Sequence, residues 1–230
     1  MTRIVVEVSA EAEWAAVREY YAGIQAGRCP FGEYLEQTIE IAGQNEPVVC
    51  LHGGWGKIAA AAATQYAMGR WAPELLVNLG TCGGIAGAIQ RGAILLVERT
   101  LVYDIIEQIG DFDQAIAHYT TALDLSWLRP PYPQAVQRGL LVSGDRDLLA
   151  KDVGWLKERF GALAGDWESG AIAWVAARNG VRCLILRGVT DLVSEEGGEA
   201  YGDAEMYASS AREVMRGLLA ALPDWLAAAL

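Results

Sequence analysis

The sequence predicts an α/β fold with a mainly parallel sheet, and two observations support this prediction. Six or seven short apolar runs of strand length recur along the chain, and segments with helix signals separate most of them. Such alternation of strands and helices is typical of a parallel α/β sheet. The 230 residues are 53% hydrophobic and 20% charged, which suits one domain over residues 1–230 with a sizeable core.

The N-terminal segment begins with a strand and a helix. Residues 4–8 form the first apolar run, and a helix is expected over residues 10–22 with Ser9 as its N-cap. Glu11 and Glu13 lie in its first turn, where the helix macrodipole favours a negative charge. Taken singly, each of these acids is expected to complement the dipole rather than to bind a ligand.

A turn region over residues 25–32, short strands over 38–42 and 48–51, and an alanine-rich helix follow. The glycine-rich entry to that helix places Gly54, Gly56 and Ala59 in a loose dinucleotide-binding fingerprint. The match is weak, because the next strand does not end in an acid that could bind a ribose. A ligand role and a packing role for these glycines stay open.

The middle of the chain contains a second glycine-rich segment and a long irregular one. Residues 75–79 form a central strand, and the following loop offers backbone N–H groups and the Thr81 hydroxyl to an anion or a sugar. Residues 93–103 form another strand. Residues 104–133 show no clean periodicity and are interpreted as a long excursion or lid at a subunit interface, before a strand at 139–142.

Charged groups concentrate between residues 165 and 191. Asp166 is expected to cap a helix that carries Glu168 in its first turn, and a buried strand follows over residues 181–186. Ligands of open α/β sheets bind at the carboxyl ends of strands. We therefore expect a pocket where this strand ends, next to Arg187, Thr190 and Asp191.

The remaining C-terminal elements are simpler. A short helix is expected over residues 152–160, and the acidic, glycine-rich residues 192–202 are interpreted as a mobile flap. An amphipathic helix over 203–222 precedes an apolar tail that starts at Pro223.

Composition excludes several classes of function. A net charge of −11 argues against binding to a nucleic-acid backbone, and no apolar run reaches membrane-spanning length. Four scattered cysteines and an N-terminus without a signal-peptide pattern indicate reduced thiols in the cytoplasm. The two histidines, His52 and His118, provide little for a His-based triad or metal site, so carboxylates must carry most proton transfers.

Six motifs in order resemble the nucleoside phosphorylase-I superfamily, and most closely its methylthioadenosine/S-adenosylhomocysteine nucleosidase group. They are SAEAEW (9–14), GGWGKIAAA (53–61), NLGTCGGI (78–85), LLVSGD (140–145), DWESGAIA (166–173) and LRGVTD (186–191). The resemblance covers residues 4–219 and implies a single three-layer α/β/α domain around a mixed, mainly parallel, partly barrel-like sheet. It also implies a homodimer, cleavage of a purine N-glycosidic bond, and no metal or other cofactor.

The resemblance assigns two catalytic residues. Asp191 matches the acid that protonates the purine, and Glu13 matches the glutamate that activates water, with Glu11 as the alternative alignment. A positioned acid lowers the barrier to departure of the purine, and carboxylates stabilise an oxocarbenium-like ribosyl group.

The resemblance also implies a set of substrate-binding residues. Glu168 would bind the ribose hydroxyls, Arg187 would lie near the ribose, and Thr81 would lie beside the ribose and the nucleophile. The whole set is Glu168, Trp167, Arg187, Thr81, Thr190, Asp147 and Leu148.

Departures from the pattern leave alternatives open. Trp167 replaces a methionine beneath the ribose, and Asp147 replaces an aromatic residue that stacks on the base. Another purine nucleoside, such as futalosine, is therefore a second candidate substrate, and a nucleoside-binding protein without catalysis is a third hypothesis.

Asn78 stands where the phosphorylases carry an arginine, which favours water as the nucleophile. The chain has other arginines that could bind phosphate, namely Arg28, Arg99 and Arg146, so phosphate stays open as the alternative nucleophile.

Overall fold

The computed structural model describes residues 3–230. Six helices lie in this part of the chain: α1 (Glu11–Tyr20), α2 (Gly56–Trp71), α3 (Phe112–His118), α4 (Ala150–Phe160), α5 (Ser169–Arg178) and α6 (Ala204–Ala229). The strands are β1 (Ile4–Val8), β2 (Gly27–Cys29), β3 (Gly32–Ile41), β4 (Gln44–His52), β5 (Leu75–Ile85), β6 (Ile94–Val102), β7 (Thr120–Ala122), β8 (Val136–Ser143), β9 (Ala162–Asp166), β10 (Arg182–Ser194) and β11 (Gly197–Gly198).

The strands form one mixed sheet, part of which closes on itself. Strand β5 pairs in parallel with β1 and β10, and β1 pairs in parallel with β4. Strands β5, β10, β6, β8 and β9 form a ring, because β9 pairs back onto β5. The predicted mixed, partly barrel-like sheet is thus confirmed.

Helices cover both faces of the sheet, which gives the predicted three layers. Helices α1 and α6 pack on one face in a core that includes Trp14, Met215 and Trp225. Helices α2 and α5 pack against each other on the opposite face, where alanines such as Ala63 and Ala173 allow close approach. No helix in residues 3–230 is long and apolar enough to span a membrane.

Two segments predicted to be loops or strand ends are in fact strand interior. Strand β5 continues through the glycine-rich motif to Ile85, and β10 continues past Asp191 to Ser194. The reason is that the two strands pair along their whole length, with a register shift between Val189 and Asp191. This irregularity re-aims the side chains near Asp191. The predicted flap also begins as strand, since β10 pairs with β11.

The helix starts differ from the prediction. Helix α1 begins one residue later than expected, and Ser9 is not its cap. The Glu13 carboxylate instead accepts the Ala10 N–H at 3.1 Å. In α5, Asp166 accepts the Ser169 N–H as expected, whereas Glu168 occupies the N-cap position rather than the first turn.

The turn region predicted over residues 25–32 and the excursion predicted over residues 104–133 are more regular than expected. Residues 25–41 contain β2 and a ten-residue strand β3, which pairs with β4 through a turn at Ala42 and Gly43. The excursion at 104–133 contains α3, capped by Asp111, and strand β7.

The predicted apolar tail is also wrong, because α6 runs through Pro223 to Ala229. Proline normally breaks a helix interior by removing a hydrogen bond. Here Trp225, Leu226 and Ala229 are buried in the core, and this packing favours continuation of the helix.

A buried carboxyl group lies on β1, next to the site described below. Glu7 is fully buried, and the Thr64 hydroxyl lies 2.9 and 3.1 Å from its two oxygens. Burial raises the pKa of Glu7 to about 8, against the effects of the Thr64 hydrogen bond and the Arg187 charge. Between pH 4.5 and about 8, folded Glu7 keeps a proton that the unfolded chain has lost. Its contribution to stability therefore falls as pH rises through this window.

We expect Glu7→Gln to reduce this loss of stability at rising pH, because the amide is neutral at every pH. Between pH 5 and pH 8, the free energy of unfolding measured in urea should fall by roughly 1–4 kcal/mol more in the wild type than in Glu7→Gln. Glu40→Gln, at an exposed position of β3, is the matched control. Equal pH dependence in wild type and Glu7→Gln would contradict the raised pKa.

Candidate active site

A cavity of about 720 Å³ lies at the C-terminal halves of strands β5 and β10, between the N-terminal ends of helices α1 and α6. Its volume suits a small-molecule ligand. The structure brings all but one of the predicted site residues to its wall: Glu13, Thr81, Asp147, Leu148, Trp167, Glu168, Thr190 and Asp191.

Arg187 is the exception, since it lies behind the cavity wall and is only 1% exposed. Its Nε donates to Asp166 Oδ2 at 2.9 Å and to Ser169 Oγ at 3.0 Å, and its Nη2 donates to Asn78 Oδ1 at 2.7 Å. We call these four residues the Arg187 cluster. The predicted direct contact of Arg187 with a sugar has no counterpart in the lining, and the side chain instead supplies a buried positive charge.

Gly80 on β5 makes room for this charge. A Cβ atom at residue 80 would lie 1.8 Å from Arg187 Nη1 and 2.8 Å from Glu13 Oε1. Such separations are far below van der Waals contact, so only glycine fits between the guanidinium and the carboxylate. The glycine of the motif NLGT is therefore explained by close approach rather than by a loop.

Glu13 projects from the first turn of α1 and is buried. Its Oε1 accepts the Thr81 N–H at 2.6 Å and the Thr81 hydroxyl at 2.8 Å, while Oε2 accepts the Ala10 N–H at 3.1 Å. The side chain of Glu11 is 87% exposed, and its Oε1 lies 3.9 Å from His52 Nε2. The geometry therefore favours Glu13 over Glu11 as the acid that faces a bound ligand.

Glu168 lies opposite, at the start of α5, and its Oε1 accepts the Gly56 N–H at 3.0 Å. Burial, together with the charges of Asp166 and Glu13, raises the pKa of Glu168 to about 8, against the opposing effects of Arg187 and Gly56. This carboxyl group therefore changes protonation close to neutral pH and can accept or donate a hydrogen bond to a ligand.

Asp191 lies at the irregularity in β10, and the neighbouring Thr190 hydroxyl lies 2.7 Å from its Oδ1. Burial raises the pKa of Asp191, helped by the charges of Glu199 and Asp147 and opposed by hydrogen bonds from Thr190 and the backbone of residue 200. A carboxyl group that holds its proton more tightly is suited to act as a general acid.

Several aromatic residues at the cavity were not predicted. Trp55 stacks on Trp167 with ring centroids 5.1 Å apart, and Tyr207 places its hydroxyl 3.5 Å from Thr81 Oγ1. The Tyr201 hydroxyl donates to the Leu148 carbonyl at 2.7 Å. Of these, only Trp55 had a sequence signal, since a large residue between Gly54 and Gly56 stands out within a glycine-rich turn.

The arginines considered for phosphate binding are poorly placed. Asn78, which stands where the phosphorylases carry an arginine, is buried within the Arg187 cluster. Arg28 and Arg99 are exposed and lie outside the lining. Arg146 does line the cavity, but its Nη2 donates to Asp152 at 2.8 Å.

The arrangement brings carboxyl groups from three directions onto one cavity. Glu13 comes from α1, Glu168 from the start of α5 and Asp191 from β10. This set can stabilise positive charge on a ligand and transfer protons at two sides of it. Within residues 3–230, no group of three or more His, Cys, Asp or Glu residues is arranged to hold a metal ion.

Comparisons with known proteins identify the family of the chain. The model of the phosphorylase superfamily matches residues 3–222. A 5′-methylthioadenosine/S-adenosylhomocysteine nucleosidase from Oceanobacillus iheyensis is 28% identical over 179 residues, which cover 70% of this chain and 78% of the relative.

Solved structures share the fold. The nucleosidase of the same name from Helicobacter pylori, solved with butyl-thio-DADMe-Immucillin-A, superposes with a TM-score of 0.78 at 15% identity, over 97% of this chain and 99% of the other. The futalosine hydrolase of Helicobacter pylori gives a TM-score of 0.78 at 14% identity, over 97% and 98% of the two chains. Because the family model covers nearly the whole chain, this protein belongs to the phosphorylase superfamily.

Proposed function

We propose that this protein is a purine nucleosidase that hydrolyses the N-glycosidic bond of a 5′-modified adenosine, of the methylthioadenosine/S-adenosylhomocysteine type. The observation that carries the proposal is the convergence of Glu13, Glu168 and Asp191 on one cavity, each with different partners. The nucleosidase relatives support the substrate class.

The reaction divides among these three acids. Asp191 donates its proton to a purine ring nitrogen, so that the base leaves neutral as the bond to the sugar carbon breaks. Glu168 binds the ribose hydroxyls, and the surrounding carboxylates stabilise the positive charge that develops on the sugar. Glu13 accepts a proton from the attacking water, whose oxygen forms the new bond to the sugar carbon. The products are the free base and the ribose derivative.

Water is favoured over phosphate because of charge. A phosphate nucleophile would have to take the place of the water beside the Glu13 carboxylate, which repels an anion. The one arginine on the wall, Arg146, is held by Asp152. A phosphate-dependent phosphorylase is therefore the less favoured alternative.

Two further nucleoside-based hypotheses are considered beside the 5′-modified adenosine. Futalosine is the second candidate, because the futalosine hydrolase and the methylthioadenosine nucleosidase superpose equally well. Asp147 on the base side and the stacked Trp55–Trp167 pair change the shape and charge of the cavity. A protein that binds a nucleoside without cleaving it is a third hypothesis, and the placement of Glu13 and Asp191 on the same cavity wall, as a base and an acid for hydrolysis, favours the enzyme.

We further propose a homodimer in the cytoplasm. Trp55, Ile58, Ile106 and Ile109 are between 59% and fully exposed, and the contact between Lys57 and Asp104 brings their two segments together. Large apolar side chains that cluster on a surface are typical of an interface, which supports pairing of two copies through this face. The four cysteines are unpaired, as expected in a reducing compartment.

The substrate class is tested by incubating the protein with methylthioadenosine, S-adenosylhomocysteine, adenosine, inosine and futalosine, each with and without phosphate. We expect free adenine from the first two without phosphate, measured by chromatography. Release of hypoxanthine from futalosine alone would assign the second candidate. Strict dependence on phosphate would identify a phosphorylase, and no base from any substrate would contradict the enzymatic proposal.

The role of Asp191 is tested by Asp191→Asn, which keeps the shape of the side chain but removes the acidic proton. We expect kcat to fall by ~10²–10⁴ while nucleoside binding persists in calorimetry. Asp224→Asn, at an exposed position of α6, is the matched control and should keep full turnover. Wild-type turnover in Asp191→Asn would rule out this residue as the general acid.

A further inference from the structure

An ion network joins three segments at the rim of the cavity. The Lys57 ammonium at the start of α2 contacts the Asp104 carboxylate and lies 3.5 Å from Asp145 Oδ2. The side chains of Lys57 and Asp104 are only 18% and 17% exposed. We call Lys57, Asp104 and Asp145 the Lys57 network. None of its members has a role in the proposed reaction.

Backbone hydrogen bonds make the Lys57 network more rigid than a pair of flexible side chains. The Lys57 N–H donates to Asp145 Oδ1 at 2.7 Å, and the Asp145 N–H donates to Asp104 Oδ2 at 2.8 Å. A Cβ atom at Gly56 would lie 3.0 Å from Asp145 Oδ1. The start of α2, the segment after β6 and the segment after β8 are therefore held together in one arrangement.

The Lys57 network lies directly beside both halves of the site. Gly56 precedes Lys57, and its N–H donates to Glu168 Oε1 at 3.0 Å, on the sugar side. Asp145 precedes three residues of the wall that include Asp147 and Leu148, on the base side. Gly56 is thus one peptide unit from Lys57, and Asp145, which Lys57 contacts, directly precedes the wall segment 146–148.

We infer that Lys57 is a positioning residue that fixes the Gly56 N–H against Glu168 and the 146–148 segment against the base. This inference rests on the proposed function for its kinetic consequences. Glu168 and the 146–148 segment bind the nucleoside before and during the reaction, so their displacement weakens both states equally. Loss of such uniform binding raises KM and leaves kcat unchanged.

The kinetic test uses Lys57→Met, which keeps the aliphatic stem and removes the charge. We expect KM for the cleaved nucleoside to rise at least about tenfold, with kcat within about threefold of wild type. Lys57→Arg should recover most of the loss in KM. Lys151→Met, at an exposed lysine of α4, is the matched control and should leave KM unchanged.

A second measurement does not depend on activity. Trp55 precedes Gly56 and stacks on Trp167 beside Glu168, so displacement of this segment should change the near-ultraviolet circular dichroism of the stacked pair. We expect a change in Lys57→Met and none in Lys151→Met. If the wild type cleaves no nucleoside, the proposed function fails, and this spectrum still decides the positioning role.

Wild-type KM together with a wild-type spectrum in Lys57→Met would overturn the inference. The same fall in kcat and the same rise in KM in Lys57→Arg and Lys57→Met, with a lowered melting temperature in both variants, would indicate general destabilisation. That result would also overturn the inference. If Lys57→Met does not fold, Asp104→Asn breaks the same ion pair while keeping an acceptor for the Asp145 N–H, and the same criteria apply.

Discussion

The arrangement of the site depends on the ion pair between Arg187 and Asp166. Both side chains are almost completely buried, and each charge would be very costly to bury alone. Hydrogen bonds from Arg187 to Ser169 and Asn78 fix the guanidinium between β5 and β10. The same positive charge faces Glu13 and Glu168, so it offsets part of the repulsion among the carboxylates.

This buried cation explains why an acidic cavity is compatible with folding. The protein carries a net charge of −11, and the site brings Glu13, Glu168 and Asp191 together. Burial acts to lower the pKa of Arg187, but the charges of Asp166, Glu13 and Glu168 outweigh this effect. The pKa of Arg187 is therefore raised above its ordinary value, and the guanidinium stays charged. The Glu13 carboxylate on the cavity side favours a cationic sugar over an anionic nucleophile.

Much of the fold could be predicted from the sequence, because strand-length apolar runs are local signals, whereas cavity residues such as Asp147 and Leu148 were predicted only through the resemblance to a family. The position of Arg187 could not be predicted, since it depends on Asn78, 109 positions away, and on the space left by Gly80. The continuation of β5 through its glycines depends on pairing with β10, and the course of α6 through Pro223 depends on burial of Trp225. These outcomes are set by tertiary contacts, which local propensity does not contain.

The most direct test of this account is a double-mutant cycle between Arg187→Met and Asp166→Asn, measured as the free energy of unfolding in urea. If the buried pair supports the site, Arg187→Met alone should cost about 3–5 kcal/mol, because it leaves Asp166 buried without its partner. Asp166→Asn should then recover a large part of that loss in the double mutant. Additive effects of the two substitutions, with no coupling, would contradict the central role of this pair.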